Sequence, residues 1–521
     1  RRIVRPIMRK LAFPLAVMSF SLGLGSCQKS PPSDDPPPAP PRLVWQKTQV
    51  STDSIDFPAR RRGLRAVRGI IHLHSVYSHD ACDGNPQPSG QPNAPCLRNL
   101  RKGLCDTRQD FAMLTDHATH MGEADWDKLF LTDSGLGDEK IIEAGEQTGG
   151  KMNCPSGDGN HQVIITVGGE NDLMPVGLHH HLGDTVSARK QAMSADTPLA
   201  VKAFHDAGGL TLQAHGESRD RTKMCTLAAA GLDGMEVYNL HANLDPKIRE
   251  TYLGLDGLAA FAGLAPWLEA RPVADGGPEP DLALLGFLED NSKERDHYNA
   301  LLGAGYRPFP TFGSDIHENT FKGSMADGER GDSYRRLMRW FANYLLVPAR
   351  STLLPSDLST AIQKGRGFSV FEAMGQPVGF DFFAEKTDGS RAELGDAVDP
   401  GAKLTVRPPN PLPVGYATDE VVETLRVLFV PAGSSVAEAL VDEKLTAAQL
   451  QQGQVRTIDT AARGAGAYRV EVRLVPKHLL HLLGEEPSRY DKEYPYLFSG
   501  SIFVGTVPKH GGSCKSVPLP S

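Results

Sequence analysis

His72 and His74 stand one residue apart in GIIHLHS, at the end of a short apolar run, and Asp80 follows in the Gly- and Asp-rich loop beyond. On a strand, residues two apart face the same side, so both imidazoles are presented to one place. Ser78 and Asp80 can bring polar groups back to that point, and Asp83 competes with Asp80 for the role. Further groups follow along the chain. Asp116 and His117 close the apolar run FAML in LTDHATH, and Glu170 ends QVIITVGGE behind two glycines that allow close backbone approach. His215 ends LTLQAH, and Asp315 and His317, again two apart, end PFPTFGSDIH. Neutral imidazole and carboxylate suit zinc, manganese or iron(II), and a carboxylate can bridge two ions. Each motif alone is weak, because an H-x-H pair also occurs on half-exposed strands and a Thr-Asp-His triplet in loops. Together they are specific: 14 of the 17 histidines fall between His72 and His317, whereas structural histidines would be spread evenly. The chemistry this implies is hydrolysis by a metal-activated hydroxide attacking phosphorus or a carbonyl carbon, with a neighbouring ion stabilising the developing charge.

These residues need a frame. RAVRGIIHLH, FAMLTDH, QVIITVGGE, LTLQAH, GMEVYN and PFPTFGSD read as strands, and PLAVKAFHDAGG and DHYNALLGAGY as helices ending at glycine. Strands alternating with helices predict a parallel sheet, open or closed into a barrel. A His, Asp or Glu arrives as the apolar run ends in five of the six, which is where parallel barrels carry their active sites, and favours the barrel. The last third differs. PVGFDFFAE, AKLTVRP, ETLRVLFVPAG, AYRVEVRLVP and GSIFVGT are strand-like with few helices between them. Tyr468, Val470, Val472 and Leu474 alternate with Arg469, Glu471 and Arg473, which predicts one buried and one wet face, as in an antiparallel sandwich. The boundary is placed near Gly375, giving a barrel over 61–375 and a β-sandwich-like domain over 376–521.

The 521 residues carry a net charge of −8, so no basic surface for nucleic acid is expected. Arg9 and Lys10 precede an apolar run from Leu11 to Leu24, the order of a secretory signal and too short for a good membrane anchor. Leu24-Gly25-Ser26-Cys27 resembles a bacterial lipobox, which implies a signal peptide over 1–27 and lipid on Cys27, hence an exported, membrane-anchored protein in the periplasm or on the cell surface. Residues 28–60 begin with QKSPPSDDPPPAPP and read as a semi-rigid tether. Six cysteines remain beyond Cys27, an even number that permits disulfides in an oxidising compartment, with Cys82, Cys96 and Cys105 placed to staple one loop-rich segment.

The ordered motifs H-x-H, T-D-H, a Glu after a Gly-rich strand end, A-H and G-S-D-x-H, over roughly residues 69 to 317, resemble the polymerase and histidinol phosphatase (PHP) domain superfamily. That resemblance implies a distorted (β/α)7 barrel with two or three divalent ions. It places one ion on His72, His74, Glu170 and Asp315, a second on Glu170 and His215, and a third on Asp80, His117 and His317. The family's additional His corresponds to His180 in GLHHHLGD, between His179 and His181. Glu170, Asp315 and His317 are the expected catalytic residues. The substrate class implied is a phosphoester, a small or medium anion. The export signal, EVYN and the β-rich tail are most similar to carbaryl-hydrolase-like members, which makes ester, carbamate or amide hydrolysis the alternative. A non-catalytic surface binding lipoprotein is a third reading, which the complete donor set disfavours. His79, His120, His161 and His205 read as loop or surface histidines, Arg219, Arg221, Lys223 and Lys322 as solvated charges, and Glu236, Tyr238 and Asn239 as structural or pocket-lining.

Overall fold

The computed structural model describes residues 43–54, 61–155, 161–350, 352–412, 421–505 and 514. Cys27, the signal segment and the Pro-rich tract lie outside them. No helix among the described residues is long and apolar enough to cross a membrane.

Eleven strands frame the N-terminal part: β1 (Leu64–Leu73), β2 (Phe111–Leu114), β3 (Glu139–Glu143), β4 (Glu146–Asn153), β5 (Gln162–Val167), β6 (Leu173–Val176), β7 (Leu210–Gln213), β8 (Gly234–Asn239), β9 (Phe309–Gly313), β10 (Ala342–Pro348) and β11 (Gly367–Val370). β1, β2 and β5 run parallel in a twelve-stranded sheet, whereas β7, β8 and β9 run parallel in a four-stranded sheet edged by antiparallel β6. The fold is therefore mixed α/β with large sheets.

The expected closed barrel is not formed. β10 pairs antiparallel with β1 from Leu64 to Gly69, which leaves only Leu73 to bridge to Ile316 beyond β9. On the other side β5 meets β6 only through Leu178 N donating to Val167 O (2.8 Å) and Gly169 N donating to Pro175 O (3.0 Å). Pro175 itself has no N–H to extend a ladder. The two sheets nevertheless share an apolar interior, in which Val67 and Ile71 of β1, Met113 of β2, Ile164 of β5, Leu212 of β7 and Phe309 of β9 form one buried cluster. Such side chains from parallel strands fill an enclosed core much as a barrel interior does.

The last third is β-rich, and its strands continue the large sheet across the boundary expected near Gly375, because β11 pairs antiparallel with Tyr494–Val504. Gly466–Val475 lies between Tyr494–Val504 and Val422–Pro431. Asp381–Glu385, Lys403–Arg407, Arg456–Asp459 and Arg391–Ala392 make a separate four-stranded sheet. The wet face expected of Gly466–Val475 is corrected: Arg469 and Glu471 are buried, because helix Ser292–Gly303 and its approach supply partners. Asn299 Oδ1 accepts from Arg469 Nη2 at 3.0 Å, and Asp290 pairs with Arg473 at 2.9 Å.

All six cysteines beyond Cys27 pair, as Cys82–Cys96, Cys105–Cys154 and Cys225–Cys514. Within the expected tether, residues 43–54 pack on the body: Trp45 Nε1 donates to Asp281 Oδ2 at 2.9 Å, and the Arg339 guanidinium lies over the indole.

Candidate metal centre

The donors stand where parallel strands end. In the β1–β2 ladder the register slips between Ile71 and Leu73, so His72 is a bulge residue, with φ 76°. A bulge re-aims a side chain, and here it lets His72 and His74 reach one site from different heights. Leu73 N donates to Thr115 Oγ1 (3.1 Å), and His74 N donates to Ile316 O (3.0 Å), which ties the end of β1 to those of β2 and β9. Asp116 is not a donor; its carboxylate accepts from Ser75 N and Ser75 Oγ and pins the His74 loop to β2. Gly168 brings β5 against β6, where a Cβ would lie 2.1 Å from the Pro175 carbonyl oxygen. Glu170 then emerges beside His117, the two being bridged in parallel register. His215 and Asp315 follow β7 and β9, both with left-handed backbone at φ 51° and 47°. Three non-glycine donors in that region store about 1–3 kcal/mol of strain each, as functional sites often do.

All the expected donors except His180 converge. Three overlapping groups have ligand atoms mutually within 4.8 Å: His74, Asp80, His117 and His317; His72, His74 and Glu170; and His72, His215 and Asp315. Asp315 Oδ1 lies 3.3 Å from His72 Nε2, 3.4 Å from His74 Nε2 and 3.3 Å from His317 Nε2. Glu170 spans His117 (2.9 Å) and His215 (3.0 Å), and Asp80 spans His117 (3.3 Å) and His317 (2.9 Å). At His72, His74 and His317 Nδ1 is held from outside and Nε2 turns to the centre, whereas His117 directs Nε2 to Asp80 and Nδ1 to Glu170, whose Oε2 stands 2.9 Å away. Nδ1 meets Glu236 Oε1 at His72 (2.6 Å), Ser78 Oγ at His74 (3.0 Å), the Glu170 carbonyl at His117 (3.0 Å) and the Asp315 carbonyl at His317 (2.7 Å). A partner on one ring nitrogen fixes the tautomer that offers the other as a ligand.

His180 is corrected: it is exposed, its Nδ1 faces the His181 carbonyl at 3.0 Å, and it lies outside every group. The polar residues of that turn lead elsewhere, since His179 faces Glu146 and His181 faces the Ala124 carbonyl. His241 stands near the cluster instead, with Nδ1 3.4 Å from Asp315 Oδ2 and its ring 6.0 Å from that of His215. It carries no motif signal, because it sits inside the short helix Leu240–Leu244, two residues past EVYN, with no paired His or Asp at motif spacing. Glu236 is also closer to the chemistry than its strand suggests: fully buried, it holds His72 Nδ1 and accepts from His215 N (3.0 Å) and Asn239 Nδ2 (2.8 Å). Gly313 makes room for it, since a Cβ there would meet Glu236 Oε1 at 1.9 Å. Tyr238 packs among Phe312, Phe341 and Phe371. Asp83 pairs with Arg330 and Lys322 and leaves the donor role to Asp80. Arg219 and Lys223 are engaged by Asp196. His120, His161 and His205 have partners outside the cluster, while the exposed His79 ring stands 5.0 Å from that of His117.

Electrostatics bind this set together. Burial opposes charge on His117 and His215, yet their carboxylate partners raise them to about 11 and about 9. His74 goes the other way, lowered to about 3 by burial and by the neighbouring His317. Burial alone would raise Asp80 and Glu170, but the imidazoles hold both carboxyls far below the usual range. A divalent cation would replace the protons that these carboxylates otherwise keep on the histidines. The donors fit such an ion by a second criterion. The Nε2 atoms of His72 and His74 are buried and face Asp315 Oδ1 at 3.3 and 3.4 Å without a well-formed hydrogen bond, which leaves their lone pairs open to a cation.

Asp80, Asp315, His317 and His241 border a cavity of 420 Å³ whose other wall is apolar, with Leu244, Phe261, Leu337 and Trp340. None of its lining residues is Lys or Arg.

No protein-family model matches the chain, and no curated protein matches it. Among solved structures, the PmoD soluble domain from Methylocystis sp. ATCC 49242 (Rockwell) is 17% identical, covering 24% of this chain and 90% of that one at a TM-score of 0.16. The glycoside hydrolase family 61 member Cel61B from Hypocrea jecorina is 12% identical, covering 23% of this chain and 57% of that one at a TM-score of 0.14.

Proposed function

We propose that the protein is a metal-dependent hydrolase related to the PHP superfamily, with a distorted form of that barrel as its frame. The observation that carries this reading is the set of buried imidazoles that turn Nε2 inward between Asp80, Glu170 and Asp315. His72, His74, Glu170 and Asp315 would hold one ion, Glu170 and His215 a second, and Asp80, His117 and His317 a third, zinc, manganese or iron in each case. Bound ions supply an acidified water and neutralise charge that develops on the substrate. The chain's own contribution is positional: Glu236 and Ser78 fix the His72 and His74 tautomers, and Glu170 ties the His117 and His215 sides together. His317, held by the Asp315 carbonyl at Nδ1, sets its Nε2 beside Asp80 at the cavity edge.

Phosphoester hydrolysis is the reading inherited from the PHP resemblance. A second, hydrolysis of a carboxylic ester, carbamate or amide, is favoured by the cavity lining, where no Lys or Arg stands ready for a phosphomonoester and one wall is apolar. Export to an oxidising compartment is supported by the three disulfides, and lipid on Cys27 would hold the protein at a membrane. The test is metal content per chain by elemental mass spectrometry, on protein purified without chelator, followed by hydrolysis of 4-nitrophenyl phosphate and 4-nitrophenyl acetate. Two or three equivalents and chelator-sensitive turnover are expected. A value near zero that persists after incubation with zinc, manganese and iron would overturn the proposal.

A further inference from the structure

Beyond the cavity bordered by Asp80, Asp315 and His317 lies a second one, of 310 Å³, and the two share Thr320, Phe321 and Trp340. The second holds no donor of the metal centre. Its walls include Leu264, Trp267, Ala283 and Met325, of which Leu264, Trp267 and Ala283 are buried. Both indole N–H groups point elsewhere, Trp267 Nε1 donating to Glu279 O and Trp340 Nε1 to Asp281 O, each at 2.8 Å, so the rings offer the cavity apolar surface.

One helix spans both spaces. In Gly257–Leu268, Phe261 lines the first cavity, and Leu264 and Leu268 line the second. Positions i, i+3 and i+7 share a helix face, and at 1.5 Å per residue they extend over about 10 Å. The outer end of this stripe is exposed, with Leu258 at 69%, Phe261 at 42% and Leu268 at 58%. An apolar face left open beside a reaction site marks a binding groove.

We infer that the substrate is bipartite: a hydrolysable ester-type group at Asp80, Asp315 and His317, and an apolar acyl or aryl arm that runs past Phe321 and Trp340 into the second cavity. The inference rests on the proposed hydrolase reading for the reacting end, but the arm site stands on its own lining. A short polar phosphate or sugar ester would leave the second cavity unused. A linear apolar chain or a fused ring system suits its lining of Leu264, Trp267, Ala283 and Trp340.

The test uses binding that needs no turnover. Two of the four tryptophans line the second cavity, so decan-1-ol titrated into the full protein should give a saturable change in tryptophan fluorescence, while propan-1-ol gives none. Affinity across the alcohol series should rise about tenfold for every two methylenes until the cavity is full. Gly323 lines the second cavity, and a Cβ there meets nothing within 4 Å, so Gly323→Phe can obstruct the space without a clash at the backbone. This variant should weaken decan-1-ol at least tenfold and flatten the chain-length dependence of 4-nitrophenyl ester hydrolysis; Met325→Trp is the second blocking variant. Absence of saturable decan-1-ol binding, or equal affinity in both folded variants, would overturn the arm site. Decan-1-ol binding without any turnover would instead leave the arm site in place and count against the hydrolase.

Discussion

Arg469 and Glu471 in Gly466–Val475 are as deeply buried as His72 and His74 at the end of β1. The first pair is satisfied within the chain: Arg469 Nη1 meets Glu471 Oε1 at 2.5 Å, Asn299 accepts from Arg469, and Arg295 stands 3.5 Å from Glu471. The second pair is satisfied on one side only. Their Nδ1 atoms are held by Glu236 and Ser78, and their Nε2 atoms have no hydrogen-bond partner. This part of the C-terminal region thus uses buried charge to join a helix to a sheet, and Arg469 and Arg473 both face anions of the same chain. At the strand ends, three carboxylates converge with imidazoles alone, a set that asks for positive charge from outside. Burial by itself does not mark a functional site; the convergence of several buried imidazoles and carboxylates on one point does.

The comparison breaks most sharply at Glu170, which joins the two sides of the cluster. Glu170→Gln keeps its volume and removes its charge, and we expect turnover to fall on the order of 10²–10³-fold, as for loss of one group that stabilises developing charge. Bound metal should fall with it. A variant with full occupancy and full activity would show that the cluster is not the site. Arg469→Met probes the other region. It leaves Glu471 buried with only the more distant Arg295, and removing one partner of a buried pair costs about 3–5 kcal/mol. Chemical unfolding should register this while metal content per folded chain is unchanged. An intermediate effect is expected at Glu236→Gln, where the partner of His72 Nδ1 changes and the donors themselves do not. Metal affinity should drop about 10–100-fold, the usual consequence of losing a carboxylate behind a ligating histidine, and competition with a chromogenic chelator would measure it. Unaltered affinity would reduce Glu236 to a packing role.

Much of the site was legible because most donors follow strand ends, and the strands announce themselves as apolar runs. His72, His74, His117, Glu170, His215, Asp315 and His317 stand out on that basis and Asp80 by its place in the loop beyond β1, and the structure brings them together. What the sequence hid was three-dimensional. The β1 bulge at His72 has no residue signature, because the residue in left-handed conformation is a histidine and not a glycine. His241 enters from a helix turn, where no spacing rule points, whereas three consecutive histidines at 179–181 carried a stronger motif and led to the surface. The frame was legible as alternating α/β, but its closure was not. Whether β1 pairs along its length with β9 or with β10 depends on contacts across more than 230 residues, and β10 takes that edge. Likewise the alternation in Tyr468–Leu474 fixed which residues share a face, while the helix that covers the polar face comes from 170 residues earlier.

The smallest expected effect isolates burial from the cluster's electrostatics. His478 is as buried as His72, but its surroundings lack a carboxylate: Nε2 meets the Met374 carbonyl at 2.8 Å, and Nδ1 has no hydrogen-bond partner. Burial lowers its pKa to about 4, whereas His72, equally enclosed but beside Glu236 and Asp315, is raised. The unfolded chain protonates His478 near the ordinary value of about 6.5. Between those values the unfolded state binds the extra proton, so the stability this residue confers is present above pH 6.5 and is lost as pH falls towards 4. The slope for one such group reaches about 1.4 kcal/mol per pH unit within that window. In His478→Gln the amide can still donate to the Met374 carbonyl and does not titrate. Its melting temperature should therefore decline less than that of the parent between pH 6.5 and pH 4.5, with little difference in slope above pH 7. Parallel curves across the whole range would mean that His478 takes up its proton in the fold as readily as in the unfolded chain, and that enclosure without a neighbouring carboxylate is not what separates it from the imidazoles of the candidate metal centre.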